Sequence, residues 1–248
     1  MIQIERTDVY GFEAAIRGMR NPMNSWKKSD SGWFTENEIA GHPHDDGMKM
    51  VFDVGEKDLT LMKQLVKAGT DHSKFMRMIT VTCDIVAPLY WWKEFDTYKV
   101  GTVRNSCSTM HKIQEKEFSL SDFSVEHLYN DDDNPTYYKS PIRVMSDLCE
   151  CLNYYRERYL DTKDKKDWWQ LIQLLPSSYN QRATVQLNYA VLQNMYHSRK
   201  NHKLSEWVGF CYWIETLPYS ELITMKPEEP QNGEAITIHF KGKLVSET

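Results

Sequence analysis

The sequence lacks a long uncharged hydrophobic run. None of its 248 residues lies in an apolar stretch approaching the roughly 20 residues that cross a bilayer. Residues 1–6 are charged and carry no apolar signal core. The chain is 41% hydrophobic and 12% aromatic, which argues against an intrinsically disordered protein. We therefore expect a folded, cytoplasmic protein that does not enter a membrane.

A basic excess is also missing. The formal net charge is −5 and the isoelectric point is about 5.9, whereas a domain that binds duplex nucleic acid normally carries clustered positive charge. One basic stripe stands out, formed by Arg182, Arg199, Lys200, His202 and Lys203. This stripe is the one feature that favours a nucleic-acid-binding module. Because the net charge is negative, we expect no nucleic acid partner.

Cysteine pairs and metal-binding motifs are absent as well. The five cysteines include no C-x-x-C pair, only Cys149-Glu150-Cys151, so we expect reduced thiols and no zinc site. His42, His44, Asp45 and Asp46 are metal-ligand types but have no matching pair at a fixed spacing elsewhere. The run of aspartates at 131–133 lacks the alternating ligands of a calcium loop. We interpret both segments as solvated loops and predict no metal.

The usual phosphate-binding and nucleophile motifs do not occur. No G-x-G-x-x-G follows a strand, and there is neither a Walker lysine motif nor a G-x-S-x-G elbow. A Rossmann enzyme, a P-loop ATPase and an α/β-hydrolase are disfavoured for that reason. Any nucleotide or flavin would have to be held by side chains and helix ends.

What the sequence does contain is helical periodicity. The spacing of apolar residues predicts helices within 8–19, between 58 and 69, and over 89–98, 140–160, 164–175, 182–199 and 205–217. Alternation predicts a central strand over 76–86 and a short edge strand at 236–240. Residues 1–57 are interpreted as one helix with long loops and some strand. The fold class is α+β, a helix-rich single domain over 1–248 around a central β-sheet.

Several helix ends carry explicit signals. Ser140 precedes Pro141, a combination typical of an N-cap followed by the first helical residue. Asp58 and Ser205 are predicted N-caps, and Gly69 fits the position after a helix C-terminus.

Two polar regions are candidates for function. The first is the predicted loop after the aromatic helix, TYKVGTVRNSCSTMH at 97–111, which is rich in hydroxyl groups and contains Lys99, Arg104 and Asn105. Hydroxyls and backbone N–H groups of this kind can surround a phosphate. An ordinary polar loop explains the same composition, so both interpretations stay open.

The second region is the C-terminal half of the predicted helix over 182–199. Asn188, Asn194, Arg199 and His202 interrupt its apolar pattern. If the helix reaches residue 202, Arg199 and His202 share one face, where a fixed guanidinium suits a phosphate or a carbonyl group. The alternative is a solvated helix end with favourable C-terminal cations.

Together these regions resemble the flavin-dependent thymidylate synthases. That family has a signature R-H-R-x-x-S-x-N-x-x-S-x-R-Y after a strand and an Ala-Pro-led aromatic helix. Here Ala87-Pro88 leads the helix, and Asn105 and Ser108 match the second half of the signature, with His111 in place of the tyrosine. Downstream, Leu175-Pro176 precedes LNYAVLQNMYHSR at 187–199, which is similar to the family's N-x-x-x-L-x-N-x-x-x-x-R.

The resemblance implies roles for particular residues. Arg199 would hold and polarise the pyrimidine as the catalytic and substrate-binding residue, and Ser108 and Thr109 would bind the nucleotide phosphate. The cofactor-binding residues would be Ser73, Asn105, Asn194 and His202, with Asn105 ordering the loop.

The resemblance also implies an activity, the methylation of dUMP to dTMP. FAD would be the cofactor, bound at subunit interfaces of a homotetramer, with NADPH and methylenetetrahydrofolate as co-substrates. The sequence departs from the family, since the leading R-H-R is absent and Met110 and Ile172 stand where arginines are expected. Lys99 or Arg104 would have to replace those cations. The alternative is a non-catalytic or repurposed relative that binds flavin or nucleotide, or only assembles.

Overall fold

The computed structural model describes residues 2–35, 50–130 and 139–226. Its strands are β1 Gln3–Tyr10, β2 Gly32–Thr35, β3 Met50–Asp53, β4 Thr80–Pro88, β5 Val103–Ser106 and β6 Asn180–Asn188. Its helices are α1 Phe12–Arg20, α2 Glu56–Lys67, α3 Leu89–Phe95, α4 Pro141–Thr162, α5 Lys165–Leu174, α6 Tyr189–Arg199, α7 Ser205–Glu215 and α8 Glu221–Thr224. The predicted α+β class is confirmed.

One antiparallel sheet in the order β1-β4-β6-β5 forms the centre of the fold. On one face of its two middle strands the side chains are apolar and buried, from Val81 to Ala87 on β4 and from Ala183 to Leu187 on β6. The other face carries polar residues such as Asp84, Thr184 and Gln186. This alternation is typical of a sheet that packs helices on one side only.

The buried face of the sheet packs against an aromatic core. α3 contributes Trp91, Trp92 and Phe95, and α7 contributes Trp207 and Phe210. Trp91 lies 4.7 Å from Trp207 and 4.9 Å from Trp92 between ring centroids, within the range of favourable aromatic pairs. α6 enters the same core cluster with Leu192 and Met195, so the ends of α3, α6 and α7 are placed by one packed interior.

A second, smaller core lies between α4, α5 and the segment 113–125. Its buried residues are Ile113, Phe118, Phe123, Cys149, Leu152 and Leu171. α4 begins where Ser140 accepts a hydrogen bond from the Arg143 N–H, and α5 begins where Asp164 accepts one from the Lys166 N–H. The predicted start of the first helix at Ser140-Pro141 is therefore confirmed.

The helix predicted over 182–199 is wrong in its first half. Residues 180–188 form β6, because Ala183, Val185 and Leu187 alternate with polar residues and pair with β4. Residues 183–186 also pair with β5 on the other side. α6 begins only after Asn188, whose side chain accepts a hydrogen bond from the Val191 N–H at 2.9 Å. Asn188 is thus a helix N-cap. The predicted loop over 97–111 also contains a strand, β5.

The N-terminal region also differs from the expectation. The helix predicted within 8–19 is the end of β1 followed by α1, with Gly11 between them at φ +98°. A Cβ on Gly11 would lie 2.0 Å from the Met78 carbonyl oxygen, so this turn requires glycine. Residues 32–35 and 50–53 pair as a separate two-stranded sheet, so this part has more strand than predicted.

Asp58 is not the N-cap of α2 as predicted. Gly55 holds that position, and the Asp30 carboxylate accepts the Lys57 and Asp58 N–H groups in its place. Asp58 is fully buried and paired with Arg20 at 2.6 Å. Gly69 does follow the helix end as predicted, at φ +99°. Ser205 is the first residue of α7 rather than its cap, which is Leu204.

Some predictions fall on residues that the structure does not describe. The 42–46 and 131–133 segments and the 236–240 strand lie outside the described ranges. All five cysteines are free thiols, with Cys107 exposed. Within the described ranges no helix is both long enough and apolar enough to cross a bilayer.

Candidate functional site

Arg199 ends α6 against the C-terminal end of α3. Its Nη1 donates to Glu94 Oε2 at 2.6 Å and its Nε donates to Tyr98 Oη at 2.8 Å. The guanidinium carbon lies 4.9 Å from the Trp207 ring centroid, a cation–π contact. Two charge-assisted hydrogen bonds and the contact with the Trp207 ring therefore fix the orientation of the guanidinium.

The Glu94 carboxylate contacts three of the side chains at this position. Its Oε2 accepts hydrogen bonds from Arg199 and from Trp207 Nε1 at 2.9 Å, and it lies 3.4 Å from His202 Nε2. The Leu204 N–H donates to His202 Nδ1 at 3.2 Å. We call Glu94, Tyr98, Arg199, His202 and Trp207 the Glu94 cluster.

The cluster is partly open to solvent. The side chains of Arg199 and Glu94 are 19% and 34% exposed. The bonds described above use Nε and Nη1 of Arg199. The α6 helix ends at residue 199, yet Arg199 Nη1 and His202 Nε2 are 3.0 Å apart because the chain turns back. The predicted proximity of these two side chains is therefore present by a different route.

A second polar link joins α3 to α7 nearby. The Tyr90 hydroxyl donates to the Glu206 carboxylate and lies 3.3 Å from Ser124 Oγ. Burial, together with the bond to Glu206, raises the pKa of Tyr90 to about 12. This tyrosine remains protonated at neutral pH and acts as a fixed donor.

The signature-like segment after β5 forms its own turn. Ser108 Oγ accepts the Met110 and His111 N–H groups at 3.3 and 3.1 Å. Thr109 is half-buried, and Asn105 is exposed on β5 opposite Thr184. Ser108 thus orders its own backbone, and a ligand at Ser108 would share that oxygen with two N–H groups.

The remaining predicted cofactor residues lie on other elements. Ser73 is 7% exposed and precedes a short 3₁₀ helix, Lys74–Arg77, which packs against α6. Asn194 is exposed on α6, where its Oδ1 accepts a weak bond from Ser198 Oγ at 3.4 Å. The structure therefore brings the Ser73 segment against the helix of Asn194, while Asn105 belongs to the edge strand of the sheet.

The two proposed substitute cations have different surroundings. Arg104 lies 4.0 Å over the Trp92 ring, donates to Asp96 Oδ2 at 2.7 Å and bonds the Gln181 amide oxygen. It is therefore a structural cation already in use. Lys99 is exposed. Ile172, where the resemblance expects an arginine, packs against the second core.

The predicted basic stripe is divided between two elements. Arg182 lies on the polar face of β6 and pairs with Glu5 at 2.6 Å, whereas Arg199 belongs to the Glu94 cluster. Arg182 on the strand and Arg199 at the end of the helix therefore have separate carboxylate partners.

Glu94 and Trp207 are the residues that the sequence did not single out. Glu94 lies 105 positions from Arg199, and no local spacing connects them. The available signal was an acidic residue near the C-terminal end of an aromatic helix, where the helix dipole disfavours negative charge. A partner cation from elsewhere in the chain is the usual compensation.

No family model and no curated protein matches the sequence. Solved structures do match. The flavin-dependent thymidylate synthase ThyX of Helicobacter pylori, solved with FAD and dUMP, is 16% identical with a TM-score of 0.59, over 90% of this chain and 98% of that one. PolB of Streptomyces cacaoi, a UMP/dUMP methylase, is similar with TM-scores of 0.53 and 0.56 at 14% and 15% identity, over 90% of this chain and 94% of PolB.

This chain has the fold of those enzymes. The agreement extends over nearly the whole length of both partners, which confirms the expected fold. At this level of identity the likeness concerns the fold, so the roles of Arg199, Ser108 and the other site residues remain predictions.

Proposed function

We propose that this chain binds a pyrimidine nucleotide and a flavin and methylates dUMP to dTMP, with methylenetetrahydrofolate as one-carbon donor and NADPH as reductant. The observation that carries the proposal is the fold, which is shared over 90% of the chain with enzymes solved with FAD and dUMP. The order of Ala87-Pro88, the signature-like segment, Leu175-Pro176 and the 187–199 segment along the sequence supports it as well. A cytoplasmic location and a homotetramer are parts of the same proposal.

Arg199 is the residue to which we assign the catalytic role. Glu94, Tyr98 and the Trp207 face hold its guanidinium in one orientation before any ligand arrives. A preorganised donor of this kind stabilises negative charge that develops on a bound pyrimidine without reorienting during the reaction. Glu94 acts as a positioning residue, because it contacts the guanidinium rather than the nucleotide.

The flavin residues fit a cofactor in part. Asn105 and Asn194 expose amides that can bond a flavin's polar groups. His202 has one ring nitrogen bonded to Leu204 and the other beside Glu94, so it offers a ring edge rather than a free nitrogen. These residues occupy different elements, and we place FAD where copies of the chain meet. When bound, it would supply the redox chemistry of methyl transfer.

A repurposed relative is the second candidate. Met110 and Ile172 remove two expected arginines, and Glu94 offsets part of the charge of Arg199. Such a protein would bind flavin or nucleotide without producing thymidylate. Because PolB is a UMP/dUMP methylase, UMP is the second nucleotide to test.

The test begins with purified full-length protein. Flavin absorbance, or uptake of added FAD, followed by conversion of dUMP to dTMP with NADPH and methylenetetrahydrofolate, is the expected result. Colourless protein that takes up no FAD would contradict the proposal. Flavin binding without turnover of dUMP or UMP would favour the repurposed relative.

The residue assignment has a matched control inside the same fold. Arg199→Ala should weaken dUMP binding by about tenfold or more, the loss expected for a charge-assisted contact. Arg104→Ala removes an equivalent guanidinium, also stacked on a tryptophan and paired with a carboxylate near the α3 end. Equal effects of the two variants on dUMP affinity would refute a special role for Arg199.

A further inference from the structure

A cavity of about 390 Å³ lies where the segment after β5 meets the α4–α5 turn. Met110, His111 and Gln114 form one wall of it. Tyr159, Lys163, Lys165 and Trp168 form the other. Its volume falls within the range of small-molecule sites, and its position is directly beside the Ser108 turn.

The walls are cationic. Of the residues that the structure describes, two lysines and a histidine line the cavity, and no carboxylate does. Within the described ranges neither lysine ammonium has a carboxylate oxygen within 4.0 Å, in contrast to Arg199 and Arg104. Lys165 is the first residue of α5, a ten-residue helix whose N-terminal end is positive. An anion entering the cavity would therefore meet charge that no carboxylate in the described part of the chain neutralises.

The turn between the helices places both lysines. Lys163 has φ +58° and its N–H donates to the Tyr159 carbonyl at 2.9 Å, which closes α4. Asp164 then caps α5 by accepting the Lys166 N–H. The lysine backbones are thus fixed by two helix termini, although their side chains are exposed.

Aromatic groups complete the cavity. Trp168 Nε1 donates to the Met110 carbonyl at 3.3 Å, which ties the indole to the signature-like segment. The rings of Trp168 and Tyr159 line the cavity, and Lys163 Nζ lies 5.8 Å from the Tyr159 ring centroid, over its face. Gln114 Oε1 is buried without a hydrogen-bond donor among the described residues, while its Nε2 donates to the His111 carbonyl at 2.9 Å.

From these features we infer that the cavity binds the phosphate of a mononucleotide, with Lys163 and Lys165 as its cations. The nucleotide identity of the ligand rests on the proposed function, whereas the anion site rests on the cavity alone. These lysines would supply the positive charge that the resemblance expects from arginines at the positions of Met110 and Ile172. Sequence reasoning overlooked them because they lie more than 50 positions from the signature-like segment.

The experiment titrates the full-length protein with dUMP, deoxyuridine and inorganic phosphate. Binding is followed by the NMR resonance of the Trp168 indole N–H, assigned with Trp168→Phe. The test variant is K163Q/K165Q, and the matched control is Lys166→Gln, an exposed lysine in the same helix turn that does not line the cavity. Circular dichroism checks that each variant is folded.

We expect dUMP to shift the indole resonance and the double variant to bind dUMP about tenfold more weakly, with Lys166→Gln unchanged. Unchanged dUMP affinity in the double variant would overturn the inference and leave the proposed function standing. Lysine-dependent dUMP binding without dTMP formation would support the cavity and count against the proposed methylation. Equal affinity for deoxyuridine and dUMP, or no dUMP binding at all, would overturn the inference.

Discussion

Two arginine–carboxylate pairs in this molecule differ in what surrounds them. Arg20 and Asp58 are 2.6 Å apart with side chains 5% and 0% exposed, and Asp58 also accepts bonds from Ser29 and Ser31. Arg199 and Glu94 are equally close but partly open to solvent. The first pair holds the N-terminal region to α2, whereas the second leaves guanidinium surface for a ligand.

The difference shows that an arginine–carboxylate pair can stabilise the fold or orient a guanidinium for binding, depending on its burial. A buried pair whose acceptors are saturated by hydroxyl and N–H donors has no capacity left for a ligand. A pair at the edge of an aromatic core is oriented as firmly but remains accessible. We therefore expect the loss of unfolding free energy on breaking a pair to increase with the burial of that pair. The loss of ligand affinity should not depend on burial in this way.

The largest stability effect is expected at Asp58. Asp58→Asn leaves the buried Arg20 guanidinium without its counter-charge, so the free energy of unfolding should fall by about 3–5 kcal/mol, measured by urea denaturation. Asp71→Asn is the control, since Asp71 is exposed and 4.0 Å from Lys74, and it should change little. A loss below that of the exposed-pair variants would break the comparison.

The same variant should change the pH dependence of stability. Burial by itself would raise the pKa of Asp58, but the bonds from Ser29, Ser31 and Arg20 outweigh it and hold the pKa below its usual value. Its contribution is therefore present above the unfolded-state pKa of about 3.9 and is lost as the pH falls through the folded-state value. Asp58→Asn should reduce this acid-side decline.

Arg104 should show an intermediate effect. Arg104→Ala removes a stacking contact with buried Trp92 together with the bonds to Asp96 and Gln181. The side chain is 18% exposed, so we expect a loss of about 1–2 kcal/mol by thermal or urea unfolding. Arg104→Lys should recover little of it, because an ammonium cannot reproduce the planar stack.

Substitution in the Glu94 cluster should lower the free energy of unfolding by less than Arg104→Ala does. Glu94→Gln keeps an acceptor for the Trp207 indole but removes the charge opposite Arg199, which we expect to cost about 0.5–1 kcal/mol in unfolding free energy. A loss as large as that of Asp58→Asn would mean that the cluster is structural and would erase the distinction drawn above.

The smallest effect is expected on the polar face of the sheet. Arg182→Ala breaks a pair with Glu5 in which the side chains are 43% and 53% exposed, so its stability should change by about 0.5 kcal/mol or less. A larger loss would show that the contact of Arg182 with Asp84 at 3.4 Å, rather than exposure, governs the cost.

Local signals predicted much of the helical framework. Ser140-Pro141 and Gly69 act where their chemistry places them, because a cap depends on residues within one turn. Residues 180–199 were harder, since an alternating segment runs directly into a helix and only pairing with β4 on one side and β5 on the other makes it a strand. Such pairing is not visible in a single segment.

The candidate site was predictable only in part for a related reason. Arg199 and His202 are near in sequence, and their proximity was foreseen. Glu94 and Trp207 join them through the folding of α3 and α7 onto one core, and the lysines of the α4–α5 turn join the Ser108 segment in the same way. Contacts between distant segments follow from packing that no local pattern encodes.

The separate packing of α4 and α5 has a consequence for hydrogen exchange. Their apolar contacts form a cluster of their own, much smaller than the one beneath the sheet. Regions with fewer buried contacts open at lower free energy, so backbone amides of this helical pair should exchange faster than those of β4 and β6. A ligand bound in the neighbouring cavity would then slow amide exchange in α4 and α5. Exchange in β4 and β6 would stay unchanged.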